Sequence, residues 1–168
     1  MHHRLLLSSF SPMSAVLSSW NRFSGSLPGR LLVSGAVWLR APYFLTAAPV
    51  ISELDEKHSR VRMTKWWLVH NHLGTVHAIA SCNLAEYAMG VLAEAAVPPS
   101  HRWIPIGMDV RYLATAKTSV TADAQWSTPP AFGPDKEDVT VEVAVRDDAG
   151  AEAVHASIRL RVSPRPPR

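Results

Sequence analysis

The chain has 168 residues, 47% of them hydrophobic and 18% charged, which excludes a fibrous or disordered protein and suits one globular domain with its own core. Its net charge of +3 is unevenly placed: Arg4, Arg22, Arg30 and Arg40 precede the first acid, Glu53, and from Glu53 onward 13 lysines and arginines face all 14 acids. The basic character therefore belongs to the N-terminal third and the tail "RVSPRPPR" and marks no nucleic-acid-binding face. The single cysteine, Cys82, excludes an intrachain disulfide and a cysteine zinc site, and points to a reducing, cytoplasmic setting.

The opening "MHHRLLLSSFSPMSAVLSSW" is Ser-rich and acid-free, with an apolar run too short for a secretory signal. Two readings stay open, an organellar transit peptide or a plain extension, and with them the choice between Met1 and Met13 as the start. Residues 1–27 are expected to form an N-terminal extension, partly disordered, of which residues 1–12 are dispensable for folding because they lack the periodicity of a packed element. The run "LLVSGAVWLRAPYFLTAAPV" approaches transmembrane length, but Arg40, Pro42 and Pro49 interrupt it, so no membrane span is expected. Pro28 to Leu39 reads as an amphipathic helix packed on the domain.

From Pro49 onward "PVISELD" and "SRVRMTKWWLVH" predict two strands joined by a polar turn. Apolar residues from Val76 to Ala95 recur every three or four positions, the period of a long helix, which "VPP" ends. "RWIPIGMDVRYLATA", "TSVTADAQW", "EDVTVEVAVRD" and "AEAVHASIRLRV" predict four more strands, the last two forming a hairpin across "RDDAGAE". The sum is an α+β domain over residues 28–163, an antiparallel sheet wrapped around one long central helix, followed by a Pro/Arg-rich tail over residues 164–168.

Ahead of and inside that helix stands "NHLGTVHAIASCNLAEYAMG". Its Asn71, Gly74, His77 and Glu86 fall into the places of the motif of PaaI-like thioesterases, and the chain resembles these and the related DUF4442 group of the hotdog fold over roughly residues 40–163. The resemblance implies hydrolysis of a thioester such as an acyl-CoA, without metal or cofactor, by a homodimer or homotetramer. It implies that the Ala78 amide, at the positive end of the helix, stabilises the oxyanion, that Glu86 is base or nucleophile, and that Asn71 orients the thioester or the water. Arg111 and Lys117 match the region near the coenzyme A entrance. Two glycines of the family motif are replaced here by Ala78 and Ile79, which keeps the amides and narrows the approach to them.

Each residue also has a structural reading. His77 is also a candidate catalytic group, and Gly74 and Asn83 are candidate substrate contacts; against this, Asn71 can cap the turn, His77 can cap the helix or orient the loop, and Asn83 can bond across a dimer contact or merely solvate the helix. Burial among Leu84, Tyr87 and Cys82 would raise the Glu86 carboxyl toward the range of a useful base. His70, His72 and His77 share a stretch in which no acid or cysteine at ligand spacing completes a metal site. The alternative to an enzyme is a non-catalytic hotdog module that binds an acyl chain or a partner protein, and a third class, a membrane-surface protein anchored by the Arg-bearing N-terminal helix, requires that helix to be exposed rather than packed. A nine-residue separation turns a helix half a revolution beyond full turns, so His77 and Glu86 are expected on opposite sides, each serving a site shared between two chains.

Overall fold

The computed structural model describes residues 14–166, so the expectations for residues 1–13 lie outside the described residues. Its elements are α1 (Ala15–Phe23), α2 (Leu27–Arg40), β1 (Val50–Leu54), β2 (His58–Met63), α3 (Ala78–Ala96), β3 (His101–Tyr112), β4 (Val120–Trp126), β5 (Glu137–Asp147) and β6 (Glu152–Pro164). The strands form one sheet in the order β1-β2-β4-β5-β6-β3, and each neighbouring pair is antiparallel.

The two-residue period of the strands builds the inner face. Val139, Val141, Val143 and Val145 of β5 and Ala156, Ile158, Leu160 and Val162 of β6 are buried, as are Leu84, Ala85, Ala88, Leu92 and Ala93 of α3, which packs on the sheet. Ala122 and Ala124 of β4 and the alanines of α3 leave room for close backbone approach. There the buried Ser59 Oγ of β2 donates to the Ala88 carbonyl at 2.7 Å. The helix starts at its cap, His77, and stops before the prolines at 98 and 99, which can neither donate nor continue the turn.

Within the stretch expected as an N-terminal extension, α1 buries Leu17 and Trp20 in the core. Two expectations need correction. The strand expected over residues 59–70 ends at Met63, because the Lys65 amide donates to Ser119 Oγ rather than to a ladder and a 3-10 turn, Trp67–Val69, follows. The strand expected over residues 102–116 closes at Tyr112, where the Leu113 and Ala114 amides converge on one carbonyl, that of Ala153.

α2 is anchored from one side only. Its buried Ser34 Oγ accepts from the Ile51 amide at 3.0 Å and its Trp38 indole donates to the Pro49 carbonyl at 2.9 Å, fastening the helix to β1. At the other end of the sheet β3 pairs with β6, its second edge has no partner among the described residues, and Ile104, Ile106, Tyr112 and Leu113 stand exposed along and just beyond it.

Candidate functional site

The loop before α3 is built around Asn71. Its Oδ1 accepts from the amides of Leu73 at 3.0 Å and Thr75 at 3.1 Å, and its Nδ2 donates to Thr75 Oγ1 at 2.8 Å. Its backbone N–H donates to the Thr75 carbonyl and its carbonyl accepts from Gly74, whose φ of +72° suits glycine. Both polar atoms of the Asn71 side chain are thus committed to shaping the turn. The loop is pinned further where Val76 donates to the Ala116 carbonyl and His77 to that of Val69. Ala116 adjoins Lys117, which brings that lysine's backbone beside the loop, and Lys117's own carbonyl accepts from Lys65 Nζ at 2.8 Å. Arg111 lies exposed near the end of β3, in register with His155.

His77 caps α3: its Nδ1 accepts from the Ile79 amide at 3.1 Å. That bond occupies one of the helix's first amides and leaves the exposed Ala78, the first helical residue, with an N–H that no preceding turn of helix can satisfy. The partial positive charge of the helix start adds to its attraction for a developing anion. Ile79, 55% exposed, stands beside it.

Further along α3 the side chains fall into two hollows. One of about 300 Å³ is lined by His77, Ile79, Ala80 and Asn83 together with Tyr43, Thr46, Leu68 and His70. The other, about 350 Å³ and mainly apolar, runs between the N-terminal helices and α3: Val16, Val37, Phe44, Tyr87, Met89 and Trp103 line it, with Arg40, Glu86 and Glu94. His77 and Glu86 thus open onto different hollows. Glu86 is exposed while Leu84 and Tyr87 near it are buried, so the burial expected for its carboxylate is not supplied within one chain.

Among the described residues two buried polar atoms of α3 have no partner: Asn83 Oδ1, in a residue 9% exposed, and the Tyr87 hydroxyl four residues on. Burial pushes the Tyr87 phenol's pKa up. The indole N–H of the neighbouring Trp38 is committed to Pro49 rather than to that hydroxyl. Cys82 lies within 3.5 Å of the Tyr112 hydroxyl, and this contact raises the Tyr112 pKa. Sequence reasoning missed Tyr87 and the groove made by α1 and α2. The signal was the i, i+4 spacing of Asn83 and Tyr87 on an otherwise apolar stripe.

Residues 29–162 match the family model described as a domain of unknown function, DUF4442. A crystal structure from structural genomics, target APC5556, is 35% identical, covers 89% of this chain and 99% of its own, and superposes with a TM-score of 0.75. A Pseudomonas aeruginosa protein of unknown function and probable thioesterase, PA5026, is 18% identical over 80% of this chain and 95% of its own, with a TM-score of 0.72. The Haemophilus influenzae thioesterase HI1161 is 15% identical over 73% of this chain and 82% of its own, at 0.64. No curated protein matches. The likeness to these thioesterases shows the hotdog fold, the α+β wrapping of a sheet on α3.

Proposed function

The chain belongs to the DUF4442 family, and from that premise we propose that it hydrolyses an acyl-CoA thioester at a site shared between two copies of itself. The observation that carries this reading is the placing of Glu86, an exposed carboxylate lining an apolar groove, on the same helix whose first residue, Ala78, is exposed. An apolar groove takes an acyl chain, a helix start takes an oxyanion, and a carboxylate takes a proton from water.

In this mechanism the Glu86 carboxylate removes a proton as a water oxygen attacks the thioester carbonyl carbon. The carbonyl's electron pair moves onto its oxygen, and the Ala78 N–H donates to that oxyanion. Collapse re-forms the carbonyl and breaks the C–S bond, and the proton held by Glu86 passes to the departing sulfur, giving a carboxylic acid and a free thiol. Asn71 acts as a positioning residue: its bonds to Leu73 and Thr75 hold the loop that delivers His77 and the helix start.

Ala78 and Glu86 are eight residues apart, about 12 Å along a helix, too far for both to reach one carbonyl group. A second copy resolves this. Two α3 helices lying antiparallel about a two-fold axis near Cys82, the midpoint of that interval, bring Ala78 of each opposite Glu86 of its partner. The unpaired edge of β3, with Ile104 and Ile106 exposed, is the complementary surface for such a dimer. The free thiol of Cys82 accords with a cytoplasmic protein, and no helix among the described residues is long and apolar enough to cross a membrane.

The test is complementation. Asn71→Ala and Glu86→Ala are each expected to be inactive; after subunit exchange, mixed dimers hold one intact site and one that has lost both groups. With random exchange half the dimers are mixed, so about a quarter of wild-type turnover returns. No recovery in samples where mass spectrometry confirms exchange overturns the shared site. A second reading, a module that binds the acyl group without turnover, draws on the Ile79 side chain beside the oxyanion position. Thiol release across a panel of acyl-CoAs of different chain length separates the two.

A further inference from the structure

The outward face of α2 is apolar without being covered. By the 3.6-residue period Pro28, Leu31, Leu32, Gly35, Ala36 and Leu39 fall within a sector of about 140° that contains no charged or hydrogen-bonding side chain. Leu31 is 43%, Leu32 61% and Leu39 81% exposed. The opposite side, where Val33 and Ser34 are buried and Trp38 is anchored, packs on the domain, so the helix is apolar on both faces. Leu27, the helix's first residue, is exposed as well, and beyond the helix's end so are Tyr43 and Leu45.

The charges that the N-terminal helices themselves carry are all of one sign: Arg22 before the helix and Arg40 at its end stand exposed, while Arg30, on the side opposite the strip by the same period, is half-buried with its Nε donating to the Ser24 carbonyl, and no aspartate or glutamate occurs before Glu53. Burying the strip against the same strip of a second copy would bring two sets of these arginines together, at a cost in repulsion. An anionic lipid surface instead satisfies both features: it takes the leucines into the acyl boundary and pairs the guanidinium groups with headgroup phosphates.

We propose that the outward face of α2 docks this protein on anionic membranes, with the helix lying in the plane of the interface. The docking does not depend on the hydrolytic reading, since it uses the side of α2 away from the groove that Val37 and Phe44 line. Because Val37 and Arg40 line that groove, α2 separates lipid from groove by one helix diameter, and an acyl compound dissolved in the membrane has a short path to it.

The experiment is cosedimentation of the full chain with vesicles of phosphatidylcholine alone and of phosphatidylcholine mixed with phosphatidylglycerol. Binding is expected to the mixed vesicles, weakly or not at all to the neutral ones, and to fall as salt is raised. Leu32→Glu combined with Leu39→Glu should lower the bound fraction about tenfold or more while the circular dichroism spectrum and melting temperature stay near wild type, as both side chains are solvent-exposed. Arg22→Gln should weaken binding to the anionic vesicles alone. No binding to the anionic vesicles, or binding that survives the double substitution, overturns the proposal. So does a smaller particle by light scattering for the double variant, which would assign the strip to a second copy. Binding that appears only after removal of residues 1–12 also overturns it, by making the chain's own N-terminus the occupant.

Discussion

The outer face of the sheet and the exposed side of α3 treat polar groups in opposite ways. On the sheet, Asp123 accepts from Arg60 Nε at 2.6 Å, with His58 Nε2 at 3.3 Å and Arg146 Nη1 at 3.6 Å, and Arg60 reaches on to Glu53 at 2.7 Å. His155 sits between Glu152 at 2.7 Å and Glu142 at 3.1 Å, and Ser157 donates to the same Glu142. The lattice of paired charges surrounds a hollow of about 340 Å³, about as large as the groove beside α3, yet the charged side chains and histidines of its lining are partners of one another. On α3, the buried Asn83 oxygen and Tyr87 hydroxyl have no partner among the described residues. Groups already paired with one another hold strands in register. Groups left over inside a protein are costly unless something else completes them, and that supports the proposal that α3 is the working surface.

The sharpest way to break this contrast is to neutralise one carboxylate on each face. Glu86→Gln should reduce thioester turnover on the order of 10²-fold to 10⁴-fold with the fold intact, because the amide keeps the shape and cannot take up a proton. Glu142→Gln, which disturbs His155 and Ser157 on the sheet, should leave turnover within about twofold. Steady-state rates of the two variants at matched protein concentration decide between the surfaces, and equal losses would abolish the distinction.

The fold was legible because its signals are local and periodic: the valines of β5 at every second position and the apolar stripe of α3 at every third or fourth specify their own burial. The site was legible only in part. "NHLGTVHA" placed the loop and the cap, but the spending of both Asn71 side-chain atoms within the turn depends on how Thr75 folds back, a matter of φ and ψ at Gly74 that residue types alone do not express. α1 was missed because nine residues span too few turns to set a period apart from the Ser-rich stretch around them, and only the tertiary burial of Leu17 and Trp20 makes it stable. The uncovered side of α2 was hidden by the reverse effect, since leucines in a sequence announce burial whether or not anything arrives to bury them.

A second comparison lies within the core, between a paired and an unpaired hydroxyl. Ser59→Ala removes the donor to the Ala88 carbonyl and should cost about 1 kcal/mol. Tyr87→Phe removes a hydroxyl that has no partner and keeps the ring's edge-on contact with Phe44 at 5.0 Å, so it should be neutral or stabilising by about 1 kcal/mol. Urea titrations with unchanged slopes measure both. A loss of stability in Tyr87→Phe would mean that the hydroxyl is completed in the assembled protein, and the loss should then fade on dilution as dimers separate.

The smallest effect belongs to the exposed rim of the sheet. Arg161 Nε donates to Asp138 Oδ1 and its Nη2 to Oδ2, each at 2.7 Å, and this bonding holds the Asp138 carboxyl below its ordinary range, while Asp138 in turn raises the Arg161 guanidinium. A carboxyl whose folded pKa lies below its unfolded one adds stability above the unfolded value, and that contribution disappears as pH falls through the folded value. Asp138→Asn should therefore be slightly less stable than wild type near neutrality, with the gap closing under acid and shrinking in salt, because the pair is open to solvent. Melting curves of the two proteins across the acidic range measure that gap. A gap that widens on acidification would show that Asp138 serves the fold through something other than its charge.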